Sequence, residues 1–149
     1  MTNHNTPLEL LLVEDNPADA ELTIDALLAT GLVNTVKWVK DGAEALELLV
    51  GSQKKSTALL NLKLVLLDLR LPRVDGLEVL KRIRADENTR LMPVVVLTSS
   101  QEESDLVRAY DLGANSYLVK PVESEAFMKS VAELGLYWML LNKLPGTTQ

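Results

Sequence analysis

Four unbroken apolar runs along this chain each end on polar residues that could carry chemistry. Leu10-Leu11-Leu12-Val13 closes on Glu14 and Asp15, and Leu64-Val65-Leu66-Leu67 closes on Asp68. Val94-Val95-Val96-Leu97 delivers Thr98 and Ser99, and Tyr117-Leu118-Val119 delivers Lys120 and Pro121. Continuous apolar runs of this length are the signature of strands covered on both faces of a parallel sheet. A fifth run, residues 35–39, is interrupted by Lys37 and is expected at a sheet edge.

Segments of helical spacing separate the runs. Asn16-Pro17 reads as an N-cap followed by proline at the first helical position, with Leu22, Ala26 and Ala29 as the apolar face and Gly31 as the stop. Residues 43–50 form a second helix ending at Gly51, and residues 52–63 a longer connection, best read as a tolerated surface insertion. Asp75-Gly76-Leu77-Glu78 and Ser100-Gln101-Glu102-Glu103 are capping patterns that open the third and fourth helices, which run to about Ala85 and to Gly113. The last helix is expected from about Ser124 to Asn142.

Five βα repeats imply one doubly wound α/β domain, with right-handed crossovers and helices on both faces of a parallel sheet. A chain that reverses direction after its first strand gives the order 2-1-3-4-5, with the ligand crevice where strands 1 and 3 part. That topology sets Glu14 and Asp15 opposite Asp68. Thr98 and Lys120 arrive at the same sheet edge.

Composition narrows the function. A chain of 149 residues, 47% hydrophobic, is one globular domain with a sizeable core. A formal charge of −6 argues against a nucleic-acid surface, which needs a basic stripe. With no cysteine there is neither disulfide, thiol nor zinc-thiolate chemistry. No leader-like start or membrane-length apolar stretch is present, so a cytoplasmic protein off the membrane is expected. His4, the one histidine, reads as a solvated tail residue.

Carboxylates do not gather without compensation. Two unit charges about 4 Å apart repel by roughly 4 kcal/mol at an effective dielectric near 20. A hard divalent cation such as Mg²⁺, which takes oxygen ligands and keeps several waters, removes that repulsion, and Lys120 adds positive charge. Asp68 is then a nucleophile able to form an acyl phosphate, with Thr98 donating its hydroxyl to a phosphoryl oxygen. Neither a G-x-x-x-x-G-K nor a G-x-G-x-x-G loop occurs, so a nucleotide is not expected.

The ordered set Glu14-Asp15, Asp68 with Leu71-Pro72 and Asp75-Gly76, Thr98-Ser99, and Tyr117 with Lys120-Pro121 resembles the receiver domain of two-component response regulators. The resemblance covers essentially the whole chain and implies the flavodoxin-like receiver fold. It implies that Asp68 accepts a phosphoryl group from a histidine kinase. Asp15, Asp68 and the Arg70 backbone carbonyl would bind Mg²⁺, with Glu14 assisting. Thr98, Ser99 and Lys120 would surround the phosphoryl group, Tyr117 would be the switch aromatic, and the bond before Pro121 would be a cis candidate. Glu14 stands where Asp is common in the family, and Arg70 where smaller or neutral residues are frequent.

The end of the chain is unusually apolar. Phe127, Val131, Leu134, Trp138 and Leu141 share one stripe that can cover the sheet, whereas Leu136, Tyr137, Leu140 and Leu144 lie largely off it. Such residues point to self-association, with Phe127, Leu136, Tyr137, Trp138 and Leu140 as dimer candidates. This ending, and the opening Glu14-Asp15-Asn16-Pro17-Ala18-Asp19, resemble the stand-alone dimeric regulators paired with cyanobacterial phytochrome kinases. The expectation is a single receiver domain over 1–149 without an output domain, a signalling phosphoacceptor rather than an enzyme, whose downstream target the sequence does not name. Two alternatives stand beside it. One is a Mg²⁺-dependent aspartyl-phosphate phosphatase, which would want an acid where Arg70 stands. The other is a phosphorylation-independent dimeric adapter.

Overall fold

A computed structural model describes residues 9–31, 33, 35–50, 62–99, 103–120 and 125–136. Strands β1 (Leu10–Val13), β2 (Val36–Val39), β3 (Leu64–Asp68), β4 (Val94–Thr98) and β5 (Ser116–Val119) alternate with helices α1 (Pro17–Ala29), α2 (Gly42–Leu49), α3 (Gly76–Ala85), α4 (Glu103–Asp111) and α5 (Glu125–Leu136). The sheet is parallel throughout, in the order β2-β1-β3-β4-β5. The helix starts are chemical as well as geometric. Asn16 caps α1 by accepting from Asp19 N–H with proline following, Asp41 caps α2 by accepting from Glu44 N–H, and Asp75 caps α3 by accepting from Leu77 N–H.

Alternation along the central strands divides the core into two layers. Leu11, Val13, Val65, Leu67, Val94 and Val96 face α2, α3 and Ala109 of α4. Leu10, Leu12, Leu64, Leu66, Val95 and Leu97 face Ala20 and Leu27 of α1 and Phe127 and Val131 of α5. Each fully buried leucine contributes about 1.5–3 kcal/mol by leaving water, and β1 and β3 put every other residue to use on each side.

Several expectations are corrected. Helix α1 buries Ala20, Thr23 and Leu27, while Leu22 is 38% exposed and Ala29 faces solvent. The helix also carries Ile24 and Leu28, so apolar residues occur around most of its circumference and spacing alone did not select the inner face. Strand β5 lies at the second sheet edge, as the expected order requires, but it is only half-buried with Val119 exposed, although its apolar run reads as covered on both faces. Phe127, a dimer candidate, is 3% exposed and packs into its own sheet, so it is not available to a second copy. Tyr137, Trp138, Leu140 and Pro121 lie outside the described residues, as do the connection over 52–61 and the side chain of Leu136. Among the described residues no helix is long and apolar enough to cross a membrane.

Candidate functional site

Register brings the acids together. Val13 is level with Leu67 across the β1–β3 pair, so the next residues along, Glu14 and Asp68, emerge side by side. Ligand oxygens of Glu14, Asp15 and Asp68 all lie within 4.8 Å of one another, with Glu14 and Asp68 buried and Asp15 exposed. On the other side, Thr98 is level with Val119, and Lys120 N–H donates to the Thr98 carbonyl at 2.9 Å. That bond stitches the ends of β4 and β5 together and aims Lys120 back across the sheet edge.

The Lys120 ammonium reaches three carboxylates at once: Glu14 Oε1 at 2.7 Å, Asp68 Oδ2 at 2.9 Å and Asp19 Oδ2 at 2.9 Å. Backbone amides hold the remaining oxygens. Arg70 N–H donates to Asp68 Oδ1 at 2.9 Å, and Asn16 N–H donates to Glu14 Oε2 at 3.1 Å. Trp38 Nε1–H donates to the Glu14 backbone carbonyl at 2.7 Å, and Lys40 Nζ sits 5.5 Å above the Trp38 ring, within cation–π range.

Burial, helped by the neighbouring Asp68 charge, pushes the Glu14 carboxyl up from 4.5 to about 7, against the pull of Lys120 and the Asn16 amide. Burial alone would lower the Lys120 ammonium. Its contacts with Glu14, Asp68 and Asp19 outweigh that and hold it above the ordinary lysine range. Lysine therefore stays charged and is the resident counter-ion of the site.

The donor set suits a divalent cation. It offers three carboxylates and no nitrogen or sulfur ligand, which is hard-cation chemistry. Glu14 Oε1 supports the fit independently, being fully buried and close to Lys120 yet without an aligned hydrogen-bond donor. A second positive charge would satisfy it.

Of the other expected residues, Thr98 is fully buried at the strand end beside Asp68's neighbour Leu97, and Ser99 is exposed. Tyr117 packs half-buried against the α3–α4 layer, level with Val96. The Arg70 guanidinium points away from the acids. Its side chain is 65% exposed and pairs with Asp105 of α4 at 3.2 Å.

Gly76 explains why α3 begins so close to the acceptor. Its N–H donates to the Leu69 carbonyl, and a Cβ there would fall 2.3 Å from the Asp68 carbonyl oxygen and 2.5 Å from Leu69 Cα. Only a residue without a side chain lets the helix start against the backbone that carries Asp68.

Sequence reasoning missed two participants. Asp19 reads locally as an ordinary first-turn acid beside the Asn16 cap, and nothing local announces a lysine 101 residues away. Trp38 lies on an edge strand with no visible tie to Glu14, 24 residues distant.

Comparisons with known proteins agree with this geometry. The model of the response regulator receiver domain family matches residues 10–132. The chain is 44% identical over 140 residues to the probable methanogenesis regulatory protein FilR2 of Methanothrix harundinacea, covering 94% of this chain and 89% of that one. It is 35% identical over 143 residues to response regulator Rcp1 of Synechocystis, covering 95% of each. Among solved structures, the phosphorylated cyanobacterial phytochrome response regulator RcpA superposes with a TM-score of 0.83 at 35% identity, covering 95% of this chain and all (100%) of the other. The Mn²⁺-bound form of Rcp1 superposes with a TM-score of 0.79 at 34% identity, over 94% of this chain and 100% of that one.

Proposed function

The chain belongs to the response-regulator receiver family, and from that membership we infer that it is a phosphorylation switch whose acceptor is Asp68. One observation carries the reading: the Asp68 carboxylate is almost wholly buried but held by donors on both oxygens, the Arg70 amide and Lys120. It is thereby oriented for attack, beside acids that can share a cation with it.

In the transfer, an Asp68 carboxylate oxygen bonds to the phosphorus of a kinase phosphohistidine. The P–N bond breaks, and its electron pair leaves with the imidazole. Glu14, Asp15, Asp68 and the Arg70 carbonyl would hold Mg²⁺, which when bound supplies positive charge to the phosphoryl oxygens. Lys120 offers a second positive charge, and the Thr98 hydroxyl can donate to the transferred group once it is in place. Ser99 and Tyr117 are the neighbours through which occupancy would reach the α4–β5 surface. The chemistry is limited to phosphotransfer and self-hydrolysis, so the protein signals by changing its contacts rather than by turning over a substrate.

A light-sensing phytochrome-type histidine kinase is the proposed phosphodonor, supported by the likeness to RcpA along nearly the whole chain. FilR2, at higher identity, is named as a probable methanogenesis regulatory protein. The phosphatase alternative is disfavoured by Arg70, which occupies the place of an acid/base residue and is engaged with Asp105.

The test is the intact mass of the protein after incubation with acetyl phosphate, with and without Mg²⁺, beside Asp68→Asn. A single Mg²⁺-dependent phosphoryl adduct, labile to hydroxylamine and absent from the variant, is expected. An adduct that persists in Asp68→Asn, or none from either acetyl phosphate or a phosphorylated kinase, sinks the reading.

A further inference from the structure

Lys120 holds one carboxylate more than the transfer chemistry uses. The Lys120 ammonium donates to Asp68 and Asp19 at 2.9 Å each and is ion-paired with Glu14 at 2.7 Å. A phosphoryl oxygen on Asp68 would be a fourth anionic group around this ammonium, and one of the three present contacts would give way to it. Glu14 is fully buried, so no water can take over its contact if lysine leaves. Asp68 carries the phosphoryl group, so lysine stays beside it in either state.

Asp19 differs from both. Its side chain is 24% exposed, against 10% for the lysine, so water can take over the contact. It stands in the first turn of α1, where its N–H donates to the Asn16 cap at 3.1 Å, and this anchors its backbone whether or not lysine is bound. Asn16 in turn donates its own N–H to Glu14. Asp19 is thus a fixed, hydratable post at the mouth of the site.

We propose that Asp19 is a positioning residue for phosphorylation: it tethers Lys120 in the free protein and is the partner that lysine exchanges for a phosphoryl oxygen. The proposal rests on the reading of Asp68 as acceptor. The exchange sets how readily the switch is thrown, because every transfer must break the Asp19 contact. Removing the post leaves a lysine with a donor already free.

The experiment compares phosphorylation by acetyl phosphate in Mg²⁺, at constant ionic strength, for wild type, Asp19→Asn and Asp19→Glu, each also in a Lys120→Met background. In each transfer the Asp68 oxygen bonds to phosphorus as the bond to acetate breaks and acetate departs with the electron pair. Asp19→Asn is expected to react roughly twofold to fivefold faster, the range set by a partly exposed ion pair. Asp19→Glu should return close to the wild-type rate, and the acceleration should vanish without Lys120.

No acceleration, or an acceleration undiminished in Lys120→Met, overturns the proposal, since Asp19 would then act as an isolated negative charge or not at all. A second measurement uses proteins with Lys120 intact: ¹⁵N spectra of the lysine ammonium groups in wild type and Asp19→Asn. The Lys120 signals should differ in the free proteins and converge when Mg²⁺ and beryllofluoride bind. A difference that survives beryllofluoride refutes the exchange. If wild type takes up no phosphoryl group at all, the acceptor assignment falls first, which separates that failure from this one.

Discussion

Glu14 sits out of water with Asp68 beside it, and its carboxyl titrates near 7 rather than 4.5. A carboxyl whose folded value is raised favours folding while protonated. Its contribution is complete below about 4.5 and is lost as pH rises through about 7. Thermal midpoints of the metal-free protein should therefore fall across that window more steeply than those of Glu14→Gln, and Mg²⁺ should remove the difference. Equal slopes in the two proteins would take Glu14 out of the site's electrostatics. Lys120 is the complementary residue. Its truncation to alanine removes the cation that pairs with both Glu14 and Asp68. Leaving buried charge unpaired costs on the order of 3 kcal/mol. In urea titrations Lys120→Ala should lose about that much without metal and regain most of it with Mg²⁺.

At the scale of elements, the active edge depends on how α3 is seated at both ends. Its first residue, Gly76, touches the backbone of Asp68 and Leu69. Gly76→Ala forces a clash with backbone rather than with a yielding side chain, so a loss of at least about 1–3 kcal/mol is expected. It should come with slower phosphorylation, read by the same mass measurement. At the other end, Arg84 donates to the carbonyls of Gly113, Arg90 and Met92 and to Asn115 Oδ1, which also accepts from Val94 N–H. Burial lowers the guanidinium's proton affinity, but the residue stays charged and is held by carbonyl dipoles. One side chain thus ties the end of α3 to the approach to β4 and to the α4–β5 turn. Arg84→Met keeps the aliphatic stem and removes every bond, and should cost about 2–3 kcal/mol in chemical denaturation. A loss near zero would mean that water replaces the whole set.

For the whole molecule, the doubly wound order decides where chemistry happens, because β1 and β3 are neighbours although α1, β2 and α2 separate them along the chain. It also decides what α5 can offer a partner. Phe127 and Val131 face the sheet and Leu134 packs beside them, whereas Met128 on the same helix is 40% exposed. The proposed dimer makes a sedimentation prediction: Tyr137→Ala with Trp138→Ala should shift dimer toward monomer. A wild type already monomeric at roughly tens of micromolar, the scale of a weak association, removes the dimer reading.

What the sequence determined by itself was whatever acts over one strand or one turn of helix. Apolar runs announced β1, β3 and β4, caps at Asn16 and Asp75 announced helix starts, and polar residues at strand ends named Glu14, Asp15, Asp68, Thr98 and Lys120. The alternation of elements was enough to order the sheet, because crossover handedness leaves few topologies. Tertiary structure decided the rest. Which face of α1 is buried depended on where α5 and the sheet lie, since helical spacing only ranks faces by apolarity. That β5 is half-open depended on its having a neighbour on one side alone. The tether between Asp19 and Lys120, the bond from Trp38 to Glu14 and the aim of Arg70 toward Asp105 join residues 101, 24 and 35 apart. An ion pair between distant side chains leaves no periodicity in the chain. It exists only once the fold has brought its partners within reach and excluded the water that would otherwise serve them.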